Sequence, residues 1–190
     1  MREELKDLTS ESRHEFVGKF VRTGYKKGYK GYEPTILFRR IRLVDNNGNN
    51  TIAAKHLWLN YTKGFLKLGE LVPGDVVKFT ARVNTYLKGP KYAKVPDYGL
   101  SYPSKVSIVG NKTVRHAMPI KDPNAVVGYV MVKNKQLYDS RKSDYEESYD
   151  SSHSNDYVNS YEESYDSSHS NDYVNSYEAW LANNYYKKAH

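Results

Sequence analysis

Thr35–Asn60 reads TILFRRIRLVDNNGNNTIAAKHLWLN, two apolar and basic runs joined by a short polar stretch. Asn47-Gly48 between such runs is the strongest short-range hairpin signal, because both residues tolerate the left-handed backbone that a tight turn needs. In a strand, alternate side chains point to opposite faces. On that period Leu37, Ile41 and Leu43 share one face of the first run, and Phe38, Arg40 and Arg42 the other. Arg39 breaks the alternation, as a bulge would. In the second run, inward Ala53, Leu57 and Leu59 place His56 and Trp58 outward beside Phe38 and the arginines. The reverse register stays open, since both faces are partly apolar. Trp58 reads equally as a core residue or an exposed platform, and His56 as structural.

Working outward, Glu15–Thr23 is rich in Phe and Val and reads as a strand. Gly18 within it marks a bend or a close backbone approach. Residues 24–34, GYKKGYKGYEP, have the composition of a loop in which tyrosines 25, 29 and 32 alternate with lysines and glycines. After the hairpin, YTKGFLKLGE suggests a helical turn, closed off by Pro73-Gly74-Asp75. Then comes the clearest alternating strand: Val77, Phe79, Ala81 and Val83 on one face, Lys78, Thr80 and Arg82 on the other. A second basic-aromatic loop, TYLKGPKYAKVPDYG, precedes a last strand at Lys105–Val109. The expectation is five strands with long loops after the first and fourth.

Three pieces in this order, FVGKF (16–20), FRRIRLVDNNGN (38–49) and LVPGDVVKFTARV (71–83), resemble an OB-fold nucleic-acid-binding domain of the anticodon-binding or single-strand-binding kind. Ala81 stands where many relatives have glycine. The resemblance spans about residues 15–110 and implies an all-β, five-stranded OB-fold-like barrel. Such domains bind oligonucleotides across strands 2–3 and the loops between strands 1–2 and 4–5, where this chain places its basic-aromatic stretches. Single strands are held by cations along the backbone and aromatic platforms under the bases, at about 1–3 kcal/mol per stacked base. The stackers expected on that basis are Tyr25, Tyr29, Phe38, Trp58, Tyr86 and Tyr92. The phosphate contacts are Lys26, Lys27, Lys30, Arg40, Arg42, Arg82, Lys88 and Lys91, and the expected partner is single-stranded DNA or RNA.

Charge divides the chain. Residues 1–143 hold 27 Lys and Arg against 12 Asp and Glu; residues 144–186 hold 10 acidic groups and no Lys or Arg. The second part contains YEESYDSSHSNDYVNS twice without a difference, at 145–160 and 161–176. A polyanion-binding body with an interaction tail fits that asymmetry. The organisation expected is a charged leader (1–14), the OB-like domain (15–118), a linker or added edge strand (119–143) and an acidic tail (144–190). AVVGYVMV at Ala125–Val132 reads as the added strand, a dimer contact or an ordinary core segment. The tail has too few aliphatic residues to offset ordering entropy and reads as disordered. A helical stripe fails across repeats, because sixteen residues at 100° each turn the tyrosines by 160° per copy.

With no cysteine, thiol nucleophiles, disulfides and cysteine zinc sites are excluded. GxSxG, HExxH and GxxxxGK[ST] are all missing. No catalytic, metal or cofactor role is expected. One His per repeat, His153 and His169, is poor coordination for a metal. The N-terminus lacks the apolar stretch of a signal peptide, and the longest apolar run is far short of the ~20 residues that span a bilayer. A cytosolic protein without a membrane partner is the expectation. Besides single-strand binding with a tail for autoinhibition or for recruiting a protein, two readings stay open. One is an inhibitor, encoded by a phage or other mobile element, of a host nuclease or its guide RNA; the other is an RNA-binding protein with a translational role.

Overall fold

The computed structural model describes residues 3–8, 10–45, 47–90, 92–110, 114–148 and 167–184. Two compact units emerge: Met1–Arg22 with Thr35–Ile120, and Thr23–Pro34 with Lys121–His190.

The sheet contains β1 (His14–Gly28), β2 (Gly31–Val44), β3 (Asn50–Asn60), β4 (Val76–Lys88) and β5 (Val95–Ile108), with a short helix α1 (Lys63–Leu66) between β3 and β4. The strand order is β3-β2-β1-β4-β5, and each resolved pairing is antiparallel. In the first unit β3 and β5 also come into contact, although no hydrogen-bonded ladder joins them among the described residues. This is an all-β, OB-like sheet with α1 between β3 and β4, left open between β3 and β5. The two long loops expected from sequence are mostly strand: β1 and β2 continue to Gly28 and from Gly31, and β4 and β5 to Lys88 and from Val95. Glycines and lysines read as loop, but in a hairpin arm they are solvated strand.

All five phenylalanines of the sequence lie in the core: Phe16, Phe20, Phe38, Phe65 and Phe79. Phe38 is central, with ring centroids of Phe65, Phe79 and Phe20 at 5.5, 5.6 and 6.3 Å. Gly18 makes this possible. A Cβ there would lie 3.2 Å from Phe38 Cβ, so its absence lets the ring lie across β1. On β4, Val77, Phe79, Ala81 and Val83 are all buried, as their alternation requires.

The β2–β3 register corrects the faces. Phe38 pairs with Leu57 and Ile36 with Leu59, and all four are buried. Phe38 therefore points inward and cannot stack on a base. The alternation breaks at Arg40, which adopts φ 50. Arg39 and Arg40 are both exposed and Ile41 returns to the core, so the odd-position count fails N-terminal to Arg40. The bulge itself lies on β3: Ile41 pairs with Ala54 and Arg42 with Ile52, which makes Ala53 the extra residue, and Ala53 and Ala54 are both buried. The hairpin turn is also longer than a two-residue one. Asp45 accepts the backbone N–H groups of Asn47 (2.9 Å) and Asn49 (2.8 Å), and Gly48 takes φ 80.

Near the C-terminal end of the first unit, Arg115 makes two bonds to Asp75 (2.6 and 2.9 Å) and a third to the Glu70 carbonyl (3.1 Å). Burial pushes the Asp75 carboxyl up, but the bonds from Arg115 and the Val72 N–H, with the Arg115 charge, outweigh it and hold the group below its ordinary value.

The second unit holds the tip of the β1–β2 hairpin and two helices, α2 (Pro123–Ser148) and α3 (Ser167–Asn184). Ala125–Val132 is thus helical, not an added strand. Asp122 caps the helix, its Oδ1 accepting the Ala125 N–H at 3.0 Å, and Pro123 occupies the first helical position, where its missing N–H costs nothing. Ala125–Met131 are buried without interruption. The tail reading is corrected over Ser167–Asn184. Tyr173, Tyr177, Trp180 and Leu181 fall at helical spacing within one copy and the sequence after it, so a stripe exists although it does not continue between copies. Tyr177 packs edge-on to Tyr129 (5.6 Å) and stacks with Trp180 (6.2 Å). Gly128 lies under the Tyr173 backbone carbonyl, where a Cβ would collide. The first repeat, 145–160, lies mostly outside the described residues.

Candidate nucleic-acid interface

In the first unit, the face of β2–β3 turned away from the phenylalanines carries the cross-strand pairs Leu37–Trp58 and Arg39–His56. Trp58 is half-buried, and the Arg22 guanidinium lies 4.9 Å from its ring centroid. Such a cation over an indole contributes about 0.5–1 kcal/mol when exposed. Arg39, Arg40, Arg42, Lys55 and His56 are exposed on these strands. The left-handed backbone at Arg40 is what turns two consecutive arginines to solvent.

The β4–β5 arm belongs to the same unit. Arg82 and Lys88 are exposed on β4, and near the tip Tyr92 is 92% exposed, with Leu87, Lys94 and Val95 also exposed. Tyr86 has another role: its hydroxyl donates to Asp97 Oδ2 (3.1 Å), and its ring lies 3.4 Å from where a Gly99 Cβ would stand. Asp97 is buried and also accepts the Tyr98 N–H (3.0 Å). Tyr86 thus braces the arm instead of offering a ring face. Lys91 lies outside the described residues.

In the second unit, Tyr29 is fully exposed at the hairpin tip, flanked by exposed Lys27 and Lys30. Lys26 pairs with Glu33 at 3.3 Å. Tyr25 is half-buried against Tyr32, edge to face at 5.2 Å, so it presents less ring than expected. Tyr32 in turn meets Tyr173 of α3 at 5.8 Å, and its backbone N–H donates to Tyr173 Oη (3.4 Å).

Of the sequence-expected site residues, Tyr29, Tyr92, Lys27, Lys30, Lys88, Arg40, Arg42 and Arg82 are exposed, and Phe38 is not. Sequence reasoning missed Arg22, Arg39 and Lys55. A parity break at Arg40 would have exposed Arg39, whereas only the three-dimensional pairing with Trp58 reveals Arg22. Among the described residues no cluster of His, Asp or Glu could hold a metal ion. None of the helices described is long and apolar enough to cross a membrane.

No family model matches the sequence, and neither does any curated protein. Among solved structures, the chain is similar to the mitochondrial single-stranded DNA-binding protein Rim1 of S. cerevisiae. That match has 14% identity and a TM-score of 0.35, and covers 53% of this chain and 96% of Rim1. It is also similar to a small single-stranded DNA-binding protein from Streptomyces coelicolor, at 13% identity and a TM-score of 0.35, covering 52% and 94%. The OB-like description rests on strand order and helix position, not on these values.

Proposed function

We propose that this chain is a non-enzymatic single-strand nucleic-acid-binding protein whose acidic C-terminal segment competes with the nucleic acid. The observation that carries the reading is the β2–β3 outer face. There, Arg39, Arg40, Arg42 and Lys55 are exposed on the two strands that carry the half-buried Trp58, over whose ring Arg22 lies. Cations neutralise phosphates and release counterions, whereas a planar ring accepts any base. Exposed Tyr29 and Tyr92, each near lysines on its arm, add platforms of the same kind. The tail's 10 acidic groups and lack of Lys or Arg over 144–186 make it an internal polyanion.

Two double substitutions separate the roles. Tyr29→Ala with Tyr92→Ala is expected to lower affinity for a single-stranded oligonucleotide while leaving the salt slope unchanged, because stacking releases no counterion. Arg39→Ala with Arg42→Ala is expected to flatten the slope by about 1.4, at ~0.7 per phosphate on a single strand. Parent-like binding by both would show that these residues are merely solvated.

A further inference from the structure

Within the second unit, Tyr173 lies in a slot built from the hairpin tip. Its ring meets the Tyr32 ring at 5.8 Å and 72°, and Tyr32 meets Tyr25 at 5.2 Å and 78°. The phenolic oxygen accepts the Tyr32 N–H at 3.4 Å. Gly31 closes the end of the slot; it takes φ 118, and a Cβ there would lie 2.5 Å from Tyr173 Oη. Any side chain at Gly31 would fill the space the hydroxyl occupies. Lys26, Lys27 and Lys30 are on the same tip. A flat six-membered ring with an acceptor oxygen at its edge, satisfied by a backbone N–H: that is also the outline of a pyrimidine base, and the lysines are the groups a phosphate would meet.

We infer that the Tyr25–Gly31–Tyr32 slot is a binding site for one unpaired pyrimidine base, and that Tyr173 is its internal occupant. This rests on the single-strand-binding reading and names the subsite and its regulation. A base carbonyl takes the Tyr32 N–H in place of the phenol, its ring packs on Tyr32, and its phosphate meets the tip lysines. Because Tyr173 is part of the same chain, its docking is intramolecular, and the nucleic acid must displace it. The tail therefore inhibits through a particular ring as well as through its charge.

The test measures binding of the full-length chain to oligo-dT and oligo-dA at low salt. The variants are Tyr173→Ala, Tyr173→Phe, Tyr32→Ala and Tyr32→Ala with Tyr173→Ala. Tyr173→Ala is expected to tighten oligo-dT binding about tenfold and oligo-dA distinctly less. Tyr173→Phe, which keeps the ring but loses the accepted bond, should tighten it less than Ala. Tyr32→Ala should weaken oligo-dT binding and abolish the gain from Tyr173→Ala. If the parent binds but Tyr173→Ala does not tighten, the slot assignment is overturned. The same holds if the gain survives in the Tyr32→Ala background, since α3 then acts only by charge or bulk. An equal gain on both oligonucleotides overturns the pyrimidine assignment. If neither parent nor variants bind any single strand, the proposed function itself fails, a result distinct from the others.

Discussion

Phe38 and Trp58 lie on adjacent strands and simple alternation turns both outward, but Phe38 is buried and Trp58 stays on the outer face, so substituting each separates core from interface. Phe38 is fully buried and touches three other phenylalanine rings at 5.5–6.3 Å. Truncating a buried Phe to Ala costs about 3–5 kcal/mol through lost transfer energy and the cavity left behind. The upper half is expected here, because each aromatic pair adds about 0.5–1.5 kcal/mol beyond its area. Trp58 is half-buried on the opposite face with Arg22 over its ring. Trp58→Ala loses a cation–π contact of about 0.5–1 kcal/mol and, if it is a platform, a stacked base worth about 1–3 kcal/mol. Urea unfolding should show a large fall in midpoint for Phe38→Ala with an unchanged m-value, and a small one for Trp58→Ala. Oligonucleotide titration should show the converse: a five- to 150-fold loss for Trp58→Ala, at 1.4 kcal/mol per tenfold, and parent-like affinity for the folded fraction of Phe38→Ala. A Phe38→Ala protein that keeps its stability and loses affinity would reverse the register and refute this face assignment.

Arg115→Ala takes the guanidinium from the part-buried Asp75 carboxylate, which keeps the Val72 N–H, and should destabilise by about 1–3 kcal/mol at pH 7, measured by urea unfolding. Because Asp75 is held below its ordinary value, its contribution is present above the unfolded value near about 3.9 and fades as pH falls through the folded one. The parent should therefore lose more stability than Arg115→Ala between pH 5 and pH 2 on the scale of acid linkage; parallel curves would refute the pairing. Gly128→Val puts a side chain where the Tyr173 carbonyl lies, and should undock α3. Faster proteolysis of residues 167–184 and tighter oligonucleotide binding are expected, and unchanged proteolysis would refute the close helix contact. Deleting Tyr161–Ser176 removes four acidic groups but restores SSHSNDYVNSYEAWLANN letter for letter. Binding should then tighten less than on removal of 144–190, and the gap should persist at high salt, where surface charges are screened beyond about 3 Å at 1 M.

The sheet was legible where its residues alternate cleanly. β4 shows Val77, Phe79, Ala81 and Val83 inward because nothing interrupts the period of two. β2 was misread because the left-handed backbone at Arg40 breaks the alternation, and three arginines in four residues conceal where the break falls. α2 was misread because its stretch Ala125–Met131 is buried all round and so has no apolar period, and its valines favour strand. The Asp122-Pro123 cap was the local signal that could have settled it. α3 escaped notice because its stripe is confined to one repeat and the unique AWL that follows, whereas the repeat as a whole is out of phase with a helix. Among the site residues, exposed cations were recoverable from composition. Ring orientation was not: Tyr86 is fixed by Asp97 and Tyr25 by Tyr32, partners that no local pattern reveals.

The central claim is that the basic-aromatic surface takes single strands. The most direct measurement is the affinity of the full-length chain for matched single-stranded DNA, single-stranded RNA and duplex DNA, each titrated with salt. The account predicts tighter binding to a single strand than to duplex. It also predicts a steep fall in affinity between about 50 and 200 mM salt, with a log–log slope near −0.7 for each phosphate neutralised. Equal affinity for duplex, or affinity insensitive to salt over that range, would contradict it.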